Sequence, residues 1–74
     1  MSNFYRKYIG NSVIAECGDI IRIVAVDYDT DYMYGYSDRD QRYVMVSFVN
    51  NRIVRDIPFD RIQTMAEEGR VYTD

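Results

Sequence analysis

The hydrophobic and polar positions of this chain predict a small, mostly β protein. Short stretches in which apolar residues alternate with polar ones, or follow one another, predict five strands. They cover residues 13–17, 20–28, 32–36 and 42–49, with a last strand that includes Ile53. The second stretch places apolar groups on both faces, as expected for a central strand or for one in a tightly bent barrel. We therefore expect a β-barrel of about five short antiparallel strands.

Capping and turn signals mark the first half of the chain. Ser2 and Gly10 bracket apolar residues at helical spacing and predict a short N-terminal helical turn. Gly18-Asp19 suits a two-residue hairpin loop between the first two strands. Residues 37–41 form a polar turn before the fourth strand. The helical turn is therefore expected to precede two hairpins.

The last hairpin contains a conflict between pairing and polarity. Asn50 and Asn51 tolerate positive φ and suit a tight two-residue loop. In that register Val46 would lie opposite Arg55, so an apolar position would face a guanidinium. The last strand is therefore expected either to bulge after Val54 or to leave Arg55 at a rim, where its charge reaches water or an acid.

The period of the pattern changes from strand-like to helix-like near the single proline. Asp60 and Gln63 match a capping box, and Gly69 fits the position just after a helix. A C-terminal helix is therefore predicted over residues 60–68. Residues 70–74 beyond it either add a short strand or fray.

Length and charge narrow the class of protein. Seventy-four residues suffice for one domain, which we assign to residues 1–74. Hydrophobic residues make up 47% of the chain, so it is expected to fold. A core of this size stabilises the fold only marginally, and contacts in a homo-oligomer or with a partner would add to that stability. The net charge of −3 argues against a protein that coats nucleic acid or an anionic membrane.

The residue inventory argues against an enzyme. The chain has no histidine, so the commonest general base and the commonest zinc ligand are missing. Cys17, the only cysteine, is expected to be a buried, inert thiol at a strand end. No catalytic constellation, metal centre or cofactor site is predicted. Since no apolar run is long enough to form an export signal or a membrane span, the chain is expected in the cytoplasm.

An acidic run follows the second strand. Asp27, Asp29 and Asp31 alternate, and Asp38 stands eleven residues after Asp27, a spacing that partly fits a calcium loop. Tyr32 occupies the position that such a loop gives to glycine, and the flanking residues predict strands. We therefore interpret the run as a solvated loop or an acidic patch. Asp38 and Asp40 would extend this patch, with Arg39 and Arg42 interrupting it.

Eight tyrosines are the most unusual feature of the composition. Tyr32, Tyr34 and Tyr36 share one face of the third strand, because side chains alternate along a strand. Tyrosine offers a large, rigid contact area with a polar tip and is enriched in protein interfaces. The alternative is that these rings complete the core. The tyrosines near the two ends are expected to pack over the sheet: Tyr5, Tyr8 and Tyr72.

The tyrosines and the acidic run together predict a protein-binding surface. The rings would anchor the contact, and the acids would steer the chain toward a basic surface of its partner. The predicted residues are Tyr28, Asp29, Asp31, Tyr32, Tyr34, Tyr36 and Asp38.

A competing hypothesis is a pocket for a nucleotide or another small phosphate-bearing ligand. Tyrosines would stack on the ligand and arginines would bind its phosphate. The candidate residues are Tyr36, Arg39, Arg42, Tyr43 and Arg55. The simpler interpretation of these arginines is a set of surface ion pairs with neighbouring aspartates.

Three segments stand in an order that is known from a family of small barrels. They are an aromatic strand at Tyr32-Met33-Tyr34, a V-x-F strand at Val46-Ser47-Phe48 and the turn Ile57-Pro58-Phe59-Asp60. With them, residues 12–62 resemble SH3-like barrels, and Tudor domains most, which implies five strands and a closing 3₁₀ turn. The family's aspartate-tyrosine-glycine turn is replaced by Val49-Asn50-Asn51, so the resemblance implies the fold and not the recognition of methyl-lysine or methyl-arginine.

The sequence thus predicts a non-enzymatic protein that occupies a basic surface of another protein. Its size and acidity also resemble those of small phage and mobile-element proteins. Inhibition of a nucleic-acid-handling or defence protein in a host cytoplasm is the most concrete form of this hypothesis. Direct binding of nucleic acid is not expected. A subunit that assembles through its sheet edges is a third alternative.

Overall fold

The computed structural model describes residues 6–27 and 30–73. A short 3₁₀ turn at residues 6–8 precedes an antiparallel sheet, and a helix follows the fifth strand. The elements are β1 (Ser12–Ile14), β2 (Ile20–Asp27), β3 (Tyr32–Ser37), β4 (Arg42–Ser47), β5 (Ile53–Asp56), α1 (Phe59–Glu67) and β6 (Val71–Tyr72). This confirms a mostly β chain with an N-terminal helical turn and a C-terminal helix. The predicted cap Ser2 lies outside the described residues.

Strands β1 to β5 lie side by side in chain order, and β6 pairs with β2. Because β3 occupies one edge of β2, β1 and β6 share its other edge: β1 pairs with the first half and β6 with the last two residues. The guanidinium of Arg6 lies 4.6 Å from the ring centre of Tyr72. One hydrogen bond joins the opposite margins of the sheet, from the N–H of Glu16 to the carbonyl of Asn51 (2.8 Å).

A bulge in the middle of β2 gives this strand apolar side chains on both faces. Ile23 lies opposite Gly35 and Ala25 opposite Tyr34, so Val24 is an extra residue in the ladder. A Cβ atom on Gly35 would stand 2.5 Å from Ile21 Cγ2 and 2.6 Å from the carbonyl oxygen of residue 22. Glycine at this position therefore permits the close approach of the two strands.

Buried side chains form a cluster on each face of the sheet. The inner cluster contains Ala15, Ile21, Ile23, Val26, Met33, Val44 and Val46. The outer cluster lies between the sheet and α1 and contains Ala25, Tyr34, Ile57, Ile62, Met65 and Val71. Tyr8 and Tyr72 pack against the inner cluster, as predicted. Tyr5 lies outside the described residues.

Helix α1 begins one residue earlier than predicted. Pro58 is its N-cap, and no side chain caps the helix by a hydrogen bond, so the predicted capping box of Asp60 and Gln63 is wrong. Gly69 has φ +76°, and its N–H and that of Arg70 donate to carbonyls in the last turn, which is a Schellman motif. The predicted role of Gly69 is therefore confirmed. No helix in the described part of the chain has the length and apolar character needed to cross a membrane.

The first hairpin differs from the prediction in its loop. Strand β1 ends at Ile14, and residues 15–19 form the turn, in which the N–H of Ala15 donates to the carbonyl of Asp19 (2.8 Å). The carboxylate of Asp19 is buried and accepts a hydrogen bond from the hydroxyl of Ser37 (2.7 Å). The turn spans five residues and places the side chain of Asp19 against Ser37 in the interior. Cys17 is consequently exposed, so the prediction of a buried thiol is wrong.

The last hairpin also has a longer loop than predicted. Val46 lies opposite Ile53 and Met45 opposite Arg55, so Val54 is an extra residue in β5. The bulge, which was one of the two expected ways to avoid pairing Val46 with Arg55, is therefore present at Val54. Arg55 is exposed, which resolves the conflict seen in the sequence.

Candidate functional site

Three aromatic rings contact one another on the outer face of the sheet. Tyr36 and Tyr43 are direct cross-strand partners, and their ring centres lie 4.8 Å apart. Phe59, the first residue of α1, lies 4.9 Å from Tyr43 on its other side. We call these three residues the aromatic ladder. Tyr43 is held in the middle, while Phe59 remains 45% exposed at one end.

The position of Phe59 follows from the chain direction after β5. The N–H of Ile57 donates to the carbonyl of Tyr43 (3.0 Å), which holds the segment before the helix against β4. Pro58 then has extended backbone angles and starts the helix, so that Phe59 reaches the ring of Tyr43. The sequence indicated a helix here, but its periodicity does not show which strand the helix start touches.

The tyrosines of β3 share a face, but they are not equally exposed. Tyr34 is only 3% exposed because α1 covers the centre of the outer face, whereas Tyr32 and Tyr36 are half-buried. The expectation that all three lie on an exposed binding surface is therefore wrong for Tyr34. The alternative, that some rings complete the core, applies to this residue.

Asp27 lies beside Tyr34 and not in a solvated loop, as the acidic run had suggested. It is the last residue of β2, is buried, and accepts a hydrogen bond from the Tyr34 hydroxyl (3.4 Å). Burial raises the pKa of Tyr34 above its ordinary value, and the negative charge of Asp27 raises it further. Arg70 and Arg55 act in the opposite direction. This pair belongs to the outer core.

The remaining predicted acids do not form one patch. Asp31 and Asp38 are both exposed, but they stand at opposite ends of β3, about 20 Å apart for an extended strand. The expected extension of the acidic run by Asp38 is therefore wrong. Tyr28 and Asp29 lie outside the described residues. Within residues 6–27 and 30–73, no group of His, Cys, Asp or Glu is arranged to hold a metal ion.

The arginines of the competing ligand hypothesis lie next to acids. Arg39 lies 3.8 Å from Asp19 and 3.7 Å from Asp40. Arg42 binds Asp40 at 3.1 Å and also pairs with Asp56. Except at Asp19, whose side chain is buried, these are ion pairs between exposed or partly exposed groups, which is the simpler interpretation of the arginines. Of the five candidate ligand residues, the structure brings Tyr36 and Tyr43 into ring contact.

An open cleft runs beside α1 on the outer face, next to the aromatic ladder. Its volume is about 410 Å³. It is lined by Val24, Phe59, Ile62, Gln63, Ala66, Glu67 and Thr73. We call it the helix cleft. The sequence does not predict this cleft, because it forms only where α1 docks beside Val24.

Further apolar side chains are exposed on the outer face at the first hairpin. Ile14 and Ile20 are cross-strand partners and are 66% and 59% exposed. The next outward position of β2 is Arg22, which lies opposite Tyr36 of the aromatic ladder. Exposed apolar groups thus border the ladder on the side away from α1.

Comparison of the chain with known protein families, with curated proteins and with solved structures gave no match.

Proposed function

We propose that this chain is a small, non-enzymatic binding protein of the cytoplasm that engages another protein through the aromatic ladder. The partially exposed ring of Phe59 is the observation that carries the proposal. Tyr43 supports this ring from below, so Phe59 can contact a partner with little loss of side-chain freedom. Rigid aromatic anchors of this kind contribute most of the binding free energy in protein interfaces.

Charge supports a partner with a basic surface. The chain has a net charge of −3, and Asp38 is exposed at the end of β3 that follows Tyr36. Acids near an aromatic anchor accelerate association with a basic protein and disfavour nucleic acid. A nucleic-acid-handling or defence protein, inhibited by occupation of its basic surface, is the partner class that we propose.

The finer architecture belongs to the same proposal. We take the sheet to be an SH3-like barrel, as the resemblance of residues 12–62 implies. The consecutive order of β1 to β5 and the hydrogen bond from Glu16 to Asn51 support this assignment.

The test is affinity capture from cells that carry the gene, with identification of the captured proteins by mass spectrometry. Phe59→Asp places a charge at the exposed end of the ladder, at a first-turn helix position that favours acids. Val49→Asp is the matched control, because Val49 is 78% exposed in the loop between β4 and β5. We expect the wild type and Val49→Asp to capture the same partner, and Phe59→Asp to lose it at least about tenfold.

Two outcomes would contradict the proposal. One is retention of the partner by Phe59→Asp in a sample whose far-ultraviolet circular dichroism shows that it is folded. The other is a melting temperature that rises with added ATP as mass action requires. The second result would favour the competing nucleotide hypothesis.

A further inference from the structure

We propose that the helix cleft receives an apolar side chain of the partner that stands next to a lysine or arginine, and that Glu67 pairs with this base. This inference rests on the proposed function, since it describes the chemistry of the partner segment. It adds a second contact area beside the aromatic ladder.

The floor of the helix cleft is apolar. Val24 and Ala66 are half-buried there, and they pack against the cluster that contains the buried Ile62. Phe59 forms one wall, so the cleft is continuous with the exposed end of the ladder. Its volume of about 410 Å³ lies within the range of about 300–1,000 Å³ typical of ligand pockets. An aliphatic side chain with part of its backbone fits this space.

The rim of the cleft is acidic. Glu67 lines it directly, and Asp60 stands seven residues earlier, which places it on the same side of α1. Neither carboxylate forms an ion pair with another described residue. Arg61 is not among the residues that line the cleft, and it stands about 120° around the helix axis from Glu67. Arg70 is 3.6 Å from Glu68.

The acidic rim determines which kind of partner residue is favoured beside the apolar side chain. A base that enters beside the apolar side chain would meet the carboxylate of Glu67 at the exposed rim of the cleft, where the two opposite charges attract. An acid in the same position would be repelled. The cleft therefore favours an apolar residue with an adjacent lysine or arginine over one that is flanked by acids.

The probe is a displayed library of random twelve-residue peptides, selected on the immobilised full chain. We expect the selected peptides to share an apolar residue next to lysine or arginine. Ala66→Phe fills the cleft from the helix and should weaken binding of these peptides at least about tenfold. Thr64→Phe adds the same ring to an exposed position of the same helix and should change binding less than about twofold.

A second pair of variants tests the charge without altering the floor. Glu67→Lys should weaken binding of the basic peptides at least about tenfold, and its neighbour Glu68→Lys should not. This pair keeps the inference testable if Ala66→Phe fails to fold. Selected peptides without the expected pattern, or equal effects of Glu67→Lys and Glu68→Lys, would overturn the inference.

Other outcomes separate this inference from the proposed function. If a partner is captured in a manner that depends on Phe59 but not on Ala66 or Glu67, the aromatic ladder remains the contact and the cleft assignment is wrong. If the chain forms a dimer by light scattering that Ala66→Phe dissociates, a second copy occupies the cleft, which also overturns the inference.

Discussion

Tyr34 and Tyr36 stand two residues apart on one face of β3, and they meet different surroundings. Tyr34 lies beneath α1 beside the carboxylate of Asp27, while Tyr36 packs against the tilted ring of Tyr43 and stays half-buried. Alternation along the strand predicts their common face, but what covers each ring depends on the helix. Two tyrosines on the same face of one strand can therefore differ in burial, one lying in the core and the other at the surface.

The buried hydroxyl of Tyr34 predicts a loss of stability in alkali. Its pKa is raised in the folded protein, so between its ordinary value of 10.0 and the raised value the unfolded chain loses the proton and the folded chain keeps it. The free energy of unfolding then falls as the pH rises above about 10 and is unaffected by this group at lower pH. Tyr34→Phe cannot lose this proton. We expect a steeper decline for the wild type than for Tyr34→Phe in urea unfolding between about pH 9 and pH 11.

The remaining tyrosines are common to both proteins and serve as the internal control of this comparison. Parallel declines of the wild type and of Tyr34→Phe would show that the Tyr34 hydroxyl is not the group responsible.

At the scale of elements, the contact between β2 and β3 depends on Gly35. Its missing side chain leaves room for the backbone of β2, just where Val24 bulges outward. The bulge in turn supplies part of the floor of the helix cleft. One close strand contact thus shapes both the sheet and the proposed binding surface.

Gly35→Ala is expected to destabilise the fold by about 1–3 kcal/mol, as overpacking of a tight core does. The added Cβ would meet the Arg22 carbonyl, which is backbone and cannot rotate away. Urea unfolding at neutral pH measures the effect. Ser12→Ala, at an exposed position of β1, should stay within about 0.5 kcal/mol of the wild type. A cost for Gly35→Ala as small as that of the control would contradict the close approach.

The elements that the sequence predicts correctly are those with local signals. Alternation places β3, and Gly69 marks the end of α1. The two hairpin loops were predicted too short, because their lengths depend on contacts that are distant in sequence. Asp19 turns inward to meet Ser37, eighteen residues later, and no pattern within the first hairpin reveals that bond.

At the scale of the whole molecule, the sheet is covered on both faces by different parts of the chain. The inner cluster is packed by the N-terminal turn and the last hairpin, and the outer cluster by α1. Since β2 contributes Ile23 to one cluster and Ala25 to the other, the clusters share a strand. Loss of either cluster should therefore weaken the whole fold.

Ile23→Ala in the inner cluster and Ile62→Ala in the outer one are each expected to cost about 2–5 kcal/mol. Both variants should still unfold in one transition, with coincident curves from far-ultraviolet circular dichroism and from tyrosine absorbance. An early separate loss of helix signal in Ile62→Ala would instead show that α1 is an independent layer.

In the candidate site, too, the sequence predicts features that depend on neighbouring residues but not contacts between residues far apart in the chain. The ligand hypothesis names Tyr36 and Tyr43 together, and they are cross-strand partners in the structure. Phe59 joins them because the chain returns over the sheet after Ile57. Residue types and strand faces could be predicted from the sequence, whereas the docking of the helix onto Tyr43 could not.

The shared edge of β2 affects where a further group can be attached to the protein. Because β1 and β6 lie along that edge and Arg6 touches the ring of Tyr72, the first and last described segments leave the fold as neighbours. A bulky group attached to one of these segments would stand close to the other one. The loop around Val49, which is 78% exposed, offers an internal attachment point instead.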